Sequence, residues 1–271
     1  MVMVYVPAGE FWMGSDRKRD KLASYLEPYE KLTLDAFWID QTEVTNAMFA
    51  RFISATGYQT TAELEDFSSY LDLQKRAWFW SGADWKHPNG PESNIDALGD
   101  HPVTQVSQLD AETYCQWAGR FLPSEAQWVK AARGTDSRVY PWGDALDSGE
   151  LANFADKNLG LKNTVRGTAP GVKNIDDGYQ YTAPVGSYPA GASPYGALDM
   201  TGNVSEWTTT CFDTPENARV RPQPGMKFCQ TKGGSFLNPA SGVRAAYNLE
   251  RNPAPPGNPG SYLGFRCAAL P

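Results

Sequence analysis

From residue 135 to the end, glycine and proline recur too closely to leave room for a long helix. The extended runs between them are brief: TAPVGSY, KGGSF, SGVRAAY and YLGFRCA. A doubly wound parallel sheet needs alternating strands and helices, and this chain has no such rhythm. The 271 residues include 25 Gly and 20 Pro beside 13 Tyr, 12 Phe and 9 Trp, with only 20% charged residues. That balance predicts a loop-rich α+β fold of short antiparallel strands and few helices, with aromatic rings filling the space between irregular segments. The 41% of hydrophobic residues is enough for a sizeable core. No long polar linker marks a boundary, so one domain over 1–271 is expected, with an irregular insertion at about 59–100.

Local signals place a few elements. The alternation of Leu32, Leu34, Phe37 and Ile39 predicts one strand with a bulge near Ala36. Thr45 before Asn46, Phe49, Phe52 and Ile53 predicts a helix ending at Gly57. A second helix is expected from Asp110 as cap to Gly119. Ser124 with Gln127 three residues on has the form of a capping box, opening a third helix that ends by Gly134. In the insertion, Trp78, Trp80 and Trp85 stand close together, as a recognition surface or, preferred here, as pins to the body of the fold.

The formal charge of −7 argues against nonspecific nucleic-acid binding. No stretch is long and apolar enough to span a bilayer, and the opening residues lack the basic start of a secretory leader. A cytoplasmic monomer without membrane insertion is therefore expected of the chain as it stands, and a surface or secreted one if a leader or fused domain is missing. Cys211 and Cys229 flank a Pro/Gly loop that they could staple, whereas Cys115 and Cys267 sit in apolar sequence and read as small buried hydrophobes. His87 and His101, the only histidines, both precede proline and read as packing or hydrogen-bonding groups.

Collinear motifs cover almost the whole chain: VPAGEFWMGS, FWIDQTEVTNAMFARFI, WKHPNGPES, HPVTQVSQLDAETYCQWAGRFLPSEAQWVKAARG, YPWGD, YGALDMTGNVSEWT, KGGSF and LGFRCA. Together they resemble the formylglycine-generating enzyme, or sulfatase-modifying-factor, family, which implies an elaborated C-type-lectin-like fold. Enzymes of that family carry a Cu(I)-binding cysteine three residues beyond the GGS serine and a second five residues further. Here Ser235 keeps the serine position, but Asn238 and Val243 occupy the cysteine positions. Neither side chain replaces a thiolate toward Cu(I). The resemblance therefore carries the framework without the copper, and no copper is expected.

The same resemblance implies two calcium sites. One comprises Asn153, the Phe154 carbonyl, Asp177 and the Tyr179 carbonyl; the other comprises the carbonyls of Thr201, Gly202 and Val204 with the Glu206 carboxylate. Both sets offer the hard oxygen donors that Ca²⁺ takes, and both can be read instead as loop hydrogen bonding.

The C-terminal region also resembles lectin-fold variable proteins diversified by retroelements. That likeness implies a ligand-binding face of Trp207, Phe236, Asn238, Ser241, Tyr247, Leu249, Glu250, Asn252, Ser261 and Tyr262. Arg244 and Arg266 read as structural donors to loop carbonyls or carboxylates. The functional expectation is a non-catalytic module binding an unidentified protein or small ligand, against the alternative of a metal-dependent oxidoreductase of the same superfamily with a divergent site.

Overall fold

The computed structural model describes residues 1–22, 29–159, 175–213, 227–247 and 257–271. Among the described residues, ten short strands and four α-helices are joined by long loops in an α+β arrangement. Strand β1 (Met3–Val6) pairs antiparallel with β4 (Phe37–Asp40), whose other edge takes β10 (Ala268–Ala269), so the two ends of the chain share one sheet. Strand β2 (Gly9–Met13) pairs with β3 (Glu30–Leu34), and β5 (Tyr70–Asp72) with β6 (Ala77–Phe79). In the last sheet, β7 (Ser205–Asp213) lies between antiparallel β8 (Lys227–Lys232) and the two-residue parallel β9 (Leu263–Gly264).

Residues 30–40 form two strands in different sheets, not one bulged strand. Phe37 and Ile39 turn into the core beneath β1 while Leu32 pairs with Phe11 in the other sheet, so the chain must change partners at 35–36. The runs TAPVGSY and SGVRAAY are turns and loops, because their backbone groups bond to distant segments. The insertion is more regular than its sequence implies. It holds the capped helix α2 (Thr61–Glu65) and the β5–β6 hairpin.

Helix α1 (Asn46–Thr56) is capped as expected, with Thr45 accepting from the Met48 N–H and Gly57 at φ 68°. Helix α3 (Gln108–Trp117) starts earlier than predicted: Ser107 is the cap, and Asp110 is the acidic half of its capping box. Asp110 misleads as a cap because its carboxylate serves the N3 position, accepting from Ser107 N. Helix α4 (Glu125–Arg133) has the Ser124–Gln127 box.

Phe49, Phe52, Tyr114 and Phe265 pack ring on ring between α1, α3 and β9. Cys115 and Cys267 lie in this cluster and are fully buried, but they are disulfide-bonded rather than free hydrophobes, tying α3 to the chain before β10. Cys211 and Cys229 form the second disulfide, across β7 and β8. Among the described residues, no helix is long and apolar enough to cross a membrane.

Candidate functional site

The chain turns at Gly233 and Gly234, with φ of 90° and 68°. A Cβ on Gly234 would stand 2.3 Å from the Gly242 carbonyl oxygen, so the close approach itself demands glycine. Beyond this turn Ser235 donates from both N and Oγ to Asn238 Oδ1, each at 2.9 Å. The Asn238 carbonyl accepts from Ala155 N at 2.9 Å. Val243 is fully buried in a cluster with Val139, Tyr140, Phe154 and Ala240. At the two positions where the resembled enzymes have copper cysteines, the molecule thus has a loop-capping amide and a core isopropyl group.

Phe236 turns away from that loop and, with Ser261, lines a cavity of about 240 Å³. One wall is the segment from Tyr179 to Thr182, and the rest of the lining is supplied by Asn46, Pro88, Asn89, Leu98, His101, Pro102 and Thr104. None of the lining residues carries a carboxylate, ammonium or guanidinium group. His101 Nδ1 sits 3.0 Å from Thr182 Oγ1, and burial lowers the imidazole pKa, keeping the ring neutral at pH 7. His101 is the hydrogen-bonding group its sequence context suggests, and it also lines the cavity. His87 pairs with Asp84 at 3.0 Å.

A ledge of rings is linked through Tyr262 to two of the cavity's lining residues. Trp78 and Trp80 are 44% and 61% exposed, and their rings lie 6.3 Å apart at an interplanar angle of 26°. Tyr262 meets Trp78 edge-on at 5.8 Å and packs into the cluster of Phe236 and Tyr181 that reaches the cavity. Trp85, by contrast, is buried against Phe49 and does pin the insertion.

This geometry brings together only part of the face expected from sequence. Phe236, Ser261 and Tyr262 converge, although the first two are buried. Trp207 is not on a surface: it is fully buried, donating from Nε1 to the Val106 carbonyl at 2.9 Å. Its place on the inward face of β7 makes it core. Asn238 caps Ser235 and Ser241 gives its carbonyl to Arg244 Nε, so both serve the loop rather than an open face. Tyr247 is half-buried, with Arg244 over its ring at 5.0 Å. Leu249, Glu250 and Asn252 lie outside the described residues. Tyr181, Thr182 and His101 were missed as cavity residues, because nothing local marks a wall assembled from distant loops.

The first set of calcium donors fits a hard cation. Asn153 Nδ2 donates to Tyr181 O at 2.8 Å and to Asn203 Oδ1 at 3.2 Å, while its Oδ1 is buried without a hydrogen-bond partner. Among the described residues, the Phe154 and Tyr179 carbonyls accept no hydrogen bond. Asp177 accepts from Phe154 N and Tyr179 N, and burial raises its pKa to about 6. A buried orphan oxygen beside a poorly solvated carboxyl is the donor chemistry Ca²⁺ accepts.

The second set does not fit. Glu206 is fully buried with both oxygens engaged, by Arg266 at 2.7 Å each and by Trp128 Nε1 at 2.8 Å, so it is the counter-ion of an arginine rather than a calcium ligand. The segment holding Thr201, Gly202 and Val204 instead packs on Asn153: Asn203 N donates to the Asn153 carbonyl at 2.8 Å, and a Cβ at Gly202 would stand 2.3 Å from that oxygen. Among the described residues, no group of three or more His, Cys, Asp or Glu side chains converges to hold a metal.

Residues 1–270 match the family described as the sulfatase-modifying factor enzyme 1-like domain. The chain is 36% identical to the formylglycine-generating enzyme of Mycobacterium tuberculosis, covering 99% of this chain and 98% of that protein. It is 32% identical to the inactive C-alpha-formylglycine-generating enzyme 2 of Mus musculus, over 98% and 85%. Among solved structures, PvdO from Pseudomonas aeruginosa superimposes with a TM-score of 0.70 at 23% identity, covering 99% of this chain and 94% of that one. The Treponema denticola variable protein 1 does so with a TM-score of 0.60 at 18% identity, over 99% and 95%. The fold, the GGS turn and the breadth of these matches agree, and the chain belongs to the sulfatase-modifying factor enzyme 1-like family.

Proposed function

We propose that this protein is a non-catalytic binding module of its family, using the cavity at Phe236 and Ser261 together with the Trp78, Trp80 and Tyr262 ledge. The observation that carries this reading is the state of the two cysteine positions. Asn238 is consumed in capping Ser235, and Val243 is buried among hydrocarbon side chains, so neither a soft ligand nor room for one is present. The likeness to an inactive relative supports the same reading.

The ligand is an uncharged small molecule or an uncharged segment of a protein. A buried charge would need a paired group, and the cavity offers amides, hydroxyls, a neutral imidazole and rings instead. The exposed tryptophans, linked through Tyr262 to the lining residues Phe236 and Tyr181, supply rigid contact area. Calcium at Asn153, Phe154, Asp177 and Tyr179 is the one cofactor in this proposal, held for structure. The module acts as a monomer. Two disulfides favour an oxidising compartment over the cytoplasm.

The deciding experiment supplies the full chain with Cu(I), oxygen and a panel of cysteine-containing peptides, and follows the peptides by mass spectrometry. No conversion to the aldehyde is expected, and copper-dependent aldehyde formation overturns the reading. In parallel, a bound partner captured by the wild type should be lost from a Trp78→Ala, Trp80→Ala double variant that melts like the parent.

A further inference from the structure

We propose that the segment from Tyr179 to Thr182 is a wall shared by the cavity and the Asn153–Asp177 oxygen cluster, so that a hard divalent cation in the cluster and the state of the cavity are thermodynamically coupled. This rests on the cavity being the binding site proposed above. The wall is held at Tyr179 and Tyr181 by cluster residues, and at the adjoining Ala183 by Asn203, which accepts from Asn153 Nδ2. Asp177 Oδ1 accepts from Tyr179 N at 3.0 Å, Asn153 Nδ2 donates to Tyr181 O at 2.8 Å, and Asn203 Oδ1 accepts from Ala183 N at 2.8 Å. On the opposite side Thr182 Oγ1 meets His101 Nδ1 at 3.0 Å, across the cavity lining.

The coupling follows from the chemistry of one planar amide. The Asn153 nitrogen holds the wall, and the oxygen of the same amide is buried with no partner. An oxygen-seeking cation that engages Oδ1 fixes the amide plane, and with it the direction of the bond to Tyr181. Charge favours a cation here. Asp156 and Asp177 are both buried, Asp177 N donates to Asp156 Oδ2 at 2.7 Å, and neither carboxylate forms a salt bridge among the described residues. Anything that restrains the wall from the cluster side therefore restrains it toward the cavity, and linkage makes the effect reciprocal.

The test needs no identified ligand, which separates its failure from failure of the binding reading. Calcium is titrated into the full-length protein by calorimetry, with magnesium as the comparison cation. The ring signals of the only two histidines, His101 and His87, are followed by NMR in the same titration. The expected result is saturable calcium binding that shifts the His101 signals and leaves those of His87 in place. Thr182→Val and His101→Gln, which touch no oxygen of the cluster, should each weaken calcium at least about five-fold. Asp177→Asn should abolish both binding and shift. Calcium binding with His101 unmoved, and with affinity in both cavity variants within two-fold of the parent, overturns the coupling while leaving the binding module intact. Absence of calcium binding also overturns it.

Discussion

Arg266 and Glu206 form a two-point ion pair, with Nε to Oε2 and Nη2 to Oε1 both at 2.7 Å, and neither side chain reaches solvent. Arg266 spends its remaining donors on the carbonyls of Asp40, Gln41 and Leu198. One guanidinium thus joins the end of β4 and the segment leading into β10 to the start of β7. Replacing Arg266 by Ala strands a buried carboxylate and three carbonyls, and the expected loss is about 3 to 5 kcal/mol in urea melts. Arg266→Lys should recover only a minor part, because an ammonium cannot reproduce the planar fork. Wild-type stability in either variant would refute the role.

The neighbourhood of that pair is also pH-sensitive. Glu43 is fully buried, accepts from Asn203 Nδ2 at 3.0 Å, and faces Asp199 and Glu206 with Arg266 as the shared cation. Burial raises the Asp199 pKa to about 6 and holds that of Glu43 well above the usual range. Folded-state values above the unfolded ones mean that the native protein binds these protons more tightly. The Asp199 contribution is full below its unfolded pKa of 3.8 and is lost as pH rises through about 6. Unfolding free energies from urea melts should fall between pH 4 and pH 8, by on the order of a few kcal/mol. Asp199→Asn should flatten that slope, and an unchanged slope would refute the assignment.

The disulfides differ in the loops they close. Cys115 and Cys267 are separated by 152 positions, and Cys211 and Cys229 by 18. In the chain-entropy account, removing the first pair costs about 4 to 5 kcal/mol and the second about 3 kcal/mol. Thermal melts of the two double Cys→Ala variants should rank in that order, with reductant lowering the melting temperature of the parent. The reverse ranking would show that strain or residual unfolded structure dominates.

The tryptophans should separate into two classes. Trp207→Ala leaves a cavity in the core beside Val106 and is expected to cost about 3 to 5 kcal/mol. Trp80→Ala, at an exposed ring, should move stability by less than about 0.5 kcal/mol. If Trp80 lies at the centre of a contact, its truncation should weaken partner binding by about 1 to 3 kcal/mol. Calorimetric melts and binding titrations on the same preparations check both arms.

Helix ends were readable without the fold. Thr45, Gly57 and Ser124 act through hydrogen bonds that close within three or four residues, so their neighbours in the chain are their neighbours in space. Even the misplaced start of α3 erred by one capping box, since Ser107 and Asp110 satisfy each other. The collinear motifs were likewise sufficient for the family and the α+β class, and the identities at 238 and 243 were sufficient to question copper chemistry.

Glu206 and the cavity were not readable in this way. Glu206 stands in a short motif that offers carbonyls and one carboxylate, but its occupation was decided by Arg266, 60 positions away. Cys115 looked like a small hydrophobe until the fold brought Cys267 to it. The cavity joins residues 46, 88, 89, 98, 101, 102, 104, 179–182, 236 and 261, which come from separate segments that do not signal one another along the chain. Local sequence determined caps, turns and family, because those depend on short-range hydrogen bonding and on a shared pattern of residues. Tertiary structure alone decided which carboxylate is paired, which sulfurs are joined and where a cavity without charged lining forms, because burial and electrostatic pairing are properties of what the folded chain places side by side.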